Sequence, residues 1–184
     1  MAAIQVYGMN SLEGEISVQG SKNGALPVMA GALLHKGVTV LLNVPDIEDT
    51  RCMTDILREL GCDCKREGIR LVIDASKAAG TEVPEKYVKA MRSSIILLGA
   101  LLGRMKEGQC SLPGGCLIGA RPVDLHLMVL RGLGAEITEK EGKFRADAGQ
   151  GLSGSELYLP YPSVGATAII FTPFQILREF VSRR

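Results

Sequence analysis

The chain has 184 residues, enough for one domain with a good core. Its 21 Lys and Arg nearly balance 20 Asp and Glu, which excludes a general attraction to nucleic acid or to an anionic membrane surface. Hydrophobic residues make up 46% without a single Trp, an aliphatic interior usual for α/β proteins. The most apolar run, Ile95 to Leu102, is too short for a bilayer span, which needs ~20 residues. The start MAAIQVYG lacks a basic region followed by an apolar run, so no signal peptide is expected. The five cysteines (Cys52, Cys62, Cys64, Cys110 and Cys116) are odd in number and irregular in spacing, a poor disulfide framework that suits a reducing cytoplasm.

In chain order, Ile4 to Tyr7 reads as a short strand, followed at Ser21 by an apolar helix, SKNGALPVMAGALL. The strand GVTVLLNVP comes next, then a helix over Thr50 to Cys62 that ends LRELGC, with Asp46, Glu48 and Asp49 as its solvated turn and cap. The pair CDCKREG and IRLVIDA reads as a hairpin turning at Gly68. The pattern then repeats with a period of roughly 70 residues. RSSIILLGALLGR from Arg92 matches the first helix, GQCSLPGG the strand, and Val123 to Ala135 the second helix, ending LRGLGA. A hairpin turning at Gly142 closes it. Gly61 and Gly134 supply the helix stops. Each unit reads as β-α-β-α-β-β, and a third opens at SVGATAII from Ser163, where Pro173 interrupts the next helix.

The chemistry concentrates in PGGCLIGARPVDLHL, Pro113 to Leu127. A glycine-rich loop can bring the Cys116 thiol to a ligand, and a thiol protonates or attacks carbon when nearby positive charge lowers its pKa. Arg121 can hold phosphate or carboxylate bidentately, and Asp124 can accept from a ligand N–H. Lys22 and Asn23 enter the first helix, where unpaired N–H groups and a partial positive charge suit an anion. Arg92 and Ser163 hold the corresponding places in the second and third units. A cation at a helix start is disfavoured by the dipole, which argues for an anionic partner of Arg92. Each residue has a structural alternative: a buried small hydrophobe for Cys116, a solvated Lys beside an Asn cap for Lys22, a surface Arg for Arg92, and a helix start for Pro122 and Asp124. His35 and His126 lie in or beside apolar helices without a carboxylate at metal spacing and carry no expected role. Cys62-x-Cys64 has no second pair, so no zinc site is expected.

Four segments in order (GSKNGALPVMAGALL, KAMRSSIILLGALLGR, PGGCLIGARPVDLHL and YPSVGAT) resemble the motifs of the UDP-N-acetylglucosamine 1-carboxyvinyltransferases, members of the enolpyruvyl transferase family. The resemblance covers nearly the whole chain up to about Thr167. It implies an α/β fold, an inside-out α/β barrel with helices inside and sheet outside, incomplete here. Residues 1–20 would be a strand segment joining a second domain, 21–167 a partial catalytic domain of two units and the start of a third, and 168–184 a divergent tail. The implied activity moves the enolpyruvyl group of phosphoenolpyruvate to the 3-hydroxyl of UDP-N-acetylglucosamine in peptidoglycan synthesis, with no cofactor or metal. In that reading Cys116 is the catalytic acid and the site of fosfomycin alkylation. Lys22, Asn23, Arg92 and Arg121 hold phosphate, carboxylate and sugar nucleotide. Pro122, Val123, Asp124 and Leu125 receive the uracil ring, and Ser163, Val164 and Gly165 the diphosphate. The alternative is an inactive remnant, or a nucleotide-binding or regulatory partner of a full-length relative. Apolar helices lacking part of their cover also imply self-association.

Overall fold

The computed structural model of the chain describes residues 4–8, 11, 13–111 and 123–172. In the first unit, helix α1 (Lys22–Ala32) starts where the Ser21 hydroxyl accepts the Gly24 N–H at 3.4 Å. Strand β1 (Val38–Leu41) follows, then α2 (Glu48–Glu59), β2 (Asp63–Glu67) and β3 (Arg70–Asp74). Helix α2 buries Met53, Ile56 and Leu57 on one side, with Glu48 and Asp49 in its first turn and Arg58 in its last, matching the helix dipole.

The second unit runs β4 (Glu82–Val83), α3 (Glu85–Ala90), a 3₁₀ stretch (Arg92–Ile96), α4 (Leu97–Met105), β5 (Glu107–Ser111), α5 (Asp124–Gly132), β6 (Glu136–Lys140) and β7 (Lys143–Asp147). The shared LRxLG endings encode one device. Gly61 N–H donates to the Arg58 carbonyl and Cys62 N–H to that of Leu57, both at 2.9 Å, with Gly61 at φ +94°. Gly134 and Ala135 bond Arg131 and Leu130 the same way at 2.9 and 3.0 Å, with Gly134 at φ +95°. Both are Schellman stops, in which only glycine takes the left-handed residue without strain. The hairpins turn where the sequence places them. Gly68 (φ +59°) opens a two-residue loop, and Glu141 and Gly142 (φ +55° and +73°) form the other.

Each unit forms its own sheet, ordered β1-β3-β2 and β4-β5-β7-β6. β4 pairs parallel with β5, Val83 opposite Cys110, and all other pairs are antiparallel. The second unit thus follows β-α-β-α-β-β, except that α3 and the 3₁₀ stretch precede α4 between its first two strands. The first differs from the sequence expectation: no strand precedes α1 among the described residues, so it reads α-β-α-β-β. Ile4 to Gly8 forms no strand either, and Ile4, Val6 and Tyr7 are exposed.

The third element of the centre is α6 (Val164–Phe171), which buries Ala166, Ala168 and Ile169, so the packed domain continues past Thr167. α1, the 3₁₀ stretch with α4, and α6 pack against one another, and Leu97 to Leu102 is buried throughout. β5 and β7 cover α4 on its other side, whereas α1 leaves Val28 and α6 leaves Val164 and Phe171 exposed. Gly99 lies directly against α6, where an added Cβ would come 2.7 Å from the Ile169 carbonyl oxygen. Cys52, Cys62, Cys64 and Cys110 are free thiols. Burial pushes Cys62 up to about 11 and Cys64 and Cys110 up to about 12.

The two units are pinned by Arg104 at the end of α4. Its guanidinium donates to the carbonyls of Leu33 (2.7 Å), His35 (3.2 Å), Ala75 (2.6 Å) and Ala78 (3.2 Å), all in the first unit. Hydrogen bonds to a charged donor contribute about 1.5–3 kcal/mol each, and removing the donor takes the partner from the part-buried Leu33 and Ala78 carbonyls, while those of Ala75 and His35 keep a backbone N–H. Arg104→Ala is therefore expected to lower stability by about 2–4 kcal/mol in urea denaturation, with Arg104→Lys recovering less than half because an ammonium cannot fork to four acceptors. A loss below about 0.5 kcal/mol would show that the pin does not join the units.

Candidate active site

Three helix starts meet at one cavity of about 600 Å³. Lys22 and Asn23 come from α1, Arg92 and Ser93 from the 3₁₀ stretch, and Ser163, Val164 and Gly165 from α6. These are corresponding positions in the three units, so the repeat carries each start to the same centre. Ser163 caps α6 by accepting the Ala166 N–H at 3.2 Å, as Ser21 caps α1. Inside α1, Pro27 has no N–H to give to the Asn23 carbonyl, and it too lines the cavity. Each helix start contributes a partial positive charge and outward N–H groups. With the Lys22 and Arg92 side chains, the arrangement suits a small, multiply charged anion.

One carboxylate shares this space. Asp49, in the first turn of α2, sits 2.7 Å from the Lys22 ammonium, both side chains being partly exposed. Such a pair holds the lysine in place at little energetic gain, so a dianion can compete for it. Arg92 has no carboxylate partner among the described residues.

His126, to which the sequence assigns no role, lines the cavity from α5. Its ring lies against Gly165 so closely that a Cβ there would collide with Nε2, and its Nδ1 is buried with no hydrogen-bond partner. Burial first and the Arg92 charge second pull the imidazole below its ordinary range, so it is neutral at pH 7. The only sequence signal for this placement was its position one turn into the helix after ARPVD.

Of the residues singled out from sequence, Lys22, Asn23, Arg92, Leu125, Ser163, Val164 and Gly165 are brought together at the cavity. Val123 and Asp124 are not among its lining residues: Val123 packs against the core and Asp124 is exposed in the first turn of α5. Cys116, Arg121 and Pro122 lie outside the described residues. Among the described residues, no group of three or more His, Cys, Asp or Glu is placed to hold a metal, and no helix is long and apolar enough to cross a membrane.

Because the neutral state of His126 is favoured in the fold, the unfolded chain takes up that proton first as pH falls. The associated stability is present above about pH 6.5 and is lost as pH drops through the lower folded-state value. Denaturation midpoints are expected to fall between pH 7 and 5, with the slope reduced in His126→Gln. An unchanged slope would mean that other groups set the pH dependence.

Comparison with known proteins shows the family of the chain. The sequence profile of the EPSP synthase family (3-phosphoshikimate 1-carboxyvinyltransferase) matches residues 6–175. UDP-N-acetylglucosamine 1-carboxyvinyltransferase 2 of Caldanaerobacter subterraneus is 43% identical over 167 residues, covering 91% of this chain and 40% of that protein. UDP-N-acetylglucosamine 1-carboxyvinyltransferase 1 of Staphylococcus aureus is 40% identical over 170 residues, with the same two coverages. The chain thus spans about two fifths of the length of these relatives. Among solved structures, the enolpyruvyl transferase NikO from Streptomyces tendae superposes with a TM-score of 0.66 at 26% identity, over 79% of this chain and 32% of that one. An EPSP synthase from Acinetobacter baumannii shares the fold at a TM-score of 0.63 and 20% identity, over 87% of this chain and 37% of that one.

Proposed function

The chain belongs to the EPSP synthase family of enolpyruvyl transferases, and from that premise we propose that it carries one wall of a UDP-N-acetylglucosamine 1-carboxyvinyltransferase active site. The observation that carries the reading is the convergence of three helix starts, Lys22 and Arg92 on one cavity. The reaction would move the enolpyruvyl group of phosphoenolpyruvate to the 3-hydroxyl of UDP-N-acetylglucosamine. A proton adds to the methylene carbon of phosphoenolpyruvate, with Cys116 as donor. The sugar oxygen bonds to the adjacent carbon and gives up its own proton, forming a tetrahedral intermediate. Loss of phosphate and of a methyl proton then restores the double bond.

Lys22 and Arg92, joined by Arg121, would balance the phosphate and carboxylate charges as they redistribute. Asn23 and the Ser163–Gly165 start would receive the diphosphate on backbone and hydroxyl donors. Val123, Asp124 and Leu125, with Pro122, would form the uracil shelf. Such a product belongs to the cytoplasmic stage of peptidoglycan synthesis. A second reading is anion and nucleotide binding without turnover.

Two measurements test these readings. Fosfomycin is expected to label Cys116, in preference to the buried Cys62, Cys64 and Cys110, and faster with UDP-N-acetylglucosamine present, as read by intact mass and peptide mapping. Equal labelling of all cysteines would discard the catalytic assignment. Independently, Arg92→Ala and Lys22→Ala are each expected to weaken phosphoenolpyruvate binding by about 5–30-fold in calorimetry, the loss of one charged hydrogen-bonding group. Unchanged affinity in both would remove the anion site itself.

A further inference from the structure

The cavity holds an acid among groups that attract anions. Among the described residues, Asp49 is the one carboxylate that lines it, beside Lys22, Arg92 and the starts of α1 and α6. Its Oδ2 lies 2.7 Å from the Lys22 ammonium, with the Asp49 side chain 31% and the Lys22 side chain 49% exposed. The site therefore contains an anion of its own, already seated on one of its two cations.

The fold does not require an acid at this position. The endings Leu57–Gly61 and Leu130–Gly134 set α2 and α5 in register, and Pro122 then holds in the second unit the place that Asp49 holds in the first. Nor does the start of α2 depend on Asp49. Glu48 supplies negative charge in the same turn. The Thr50 hydroxyl closes that start, accepting the Ile47 N–H at 3.3 Å and donating to the Pro45 carbonyl at 2.6 Å. What Asp49 adds is its contact with Lys22. A ligand anion that takes the ammonium breaks a partly exposed ion pair, which costs little. The lasting cost is the carboxylate itself. It stays beside the bound anion without the lysine that balanced it, and it repels every charge the ligand carries.

We infer that Asp49 is a built-in counter-anion of the cavity: it occupies Lys22 while the site is empty and holds down the affinity for any small dianion that replaces it. Inorganic phosphate, the leaving group of the proposed reaction, is such a dianion, and a site with its own competing carboxylate releases it more readily. The inference rests on the anion site proposed above, but not on which sugar accepts the enolpyruvyl group.

Sulfate, a dianion that does not titrate near neutral pH, is the probe. Its binding to the whole 184-residue chain is measured by calorimetry at constant ionic strength, beside Asp49→Asn and Glu48→Gln. Each variant removes one negative charge from the first turn of α2 while keeping the side chain's shape, but Glu48 is exposed and does not line the cavity. The expected result is that Asp49→Asn binds sulfate at least ~5-fold more tightly than the parent, while Glu48→Gln stays within ~2-fold of it. Weaker sulfate binding in Asp49→Asn would overturn the inference, by making the carboxylate a support that Lys22 needs. Equal tightening in both variants would overturn it too, by assigning the effect to the net charge of the turn. Unchanged binding in Asp49→Asn would remove the role of Asp49 and leave the anion site standing, whereas sulfate binding by none of the three proteins would remove the site and that role together.

Discussion

The structure depends on the mutual packing of the apolar sides of three helices. α1, the 3₁₀ stretch with α4, and α6 each lie against the other two, and β5 and β7 cover α4 on its other side. The arrangement places their starts side by side, so three partial positive charges crowd one end of the core. Apolar burial thereby creates an electrostatic problem that the fold does not resolve by itself. Asp49 offsets it at one start, and a bound anion would offset it at all three. The site is a by-product of how the core is closed, which explains why its residues sit at equivalent places in successive repeats.

Much of this was legible in the sequence because it is local. The GALL runs, the LRxLG endings and the glycines at 68 and 142 specify helices, stops and turns within a few residues. Lys22, Asn23, Arg92 and Ser163 stand at helix starts that caps and breaks of periodicity mark, while their binding roles are implied only by the motif resemblance. Relations between segments were not legible. β4 is two residues long, too short for any alternation to show, and α3 lies between it and the 3₁₀ stretch, so the second unit's leading strand gave no pattern to find. The absence of its counterpart before α1 was hidden for the opposite reason: Ile16 and Val18 do alternate, but alternation does not say which edge a strand will meet.

His126 and Asp49 illustrate the same limit at the cavity. Each reads locally as an ordinary helix residue, one inside an apolar run and the other in an acidic first turn. Their significance comes from tertiary neighbours: Gly165 and Arg92 around the imidazole, Lys22 beside the carboxylate. Desolvation keeps the first neutral and partial solvent access keeps the second a weak clamp. The thiols divide along similar lines. Buried Cys62, Cys64 and Cys110 are too basic to be thiolates at neutral pH, so selectivity for any exposed, electropositive cysteine requires no special protection of the others.

The meeting of α1 with α6 also has a consequence in time. About 140 residues separate Lys22 from Val164, and on a ribosome adding roughly 5–20 residues per second α1 waits on the order of ten to thirty seconds for that neighbour. Over that interval Leu26, Met29 and Ala30 can be covered only by the first two units, with the face owed to α6 open to solvent or to a chaperone. The centre of this fold is sealed late, and of its three helices the one made first is the one that waits longest.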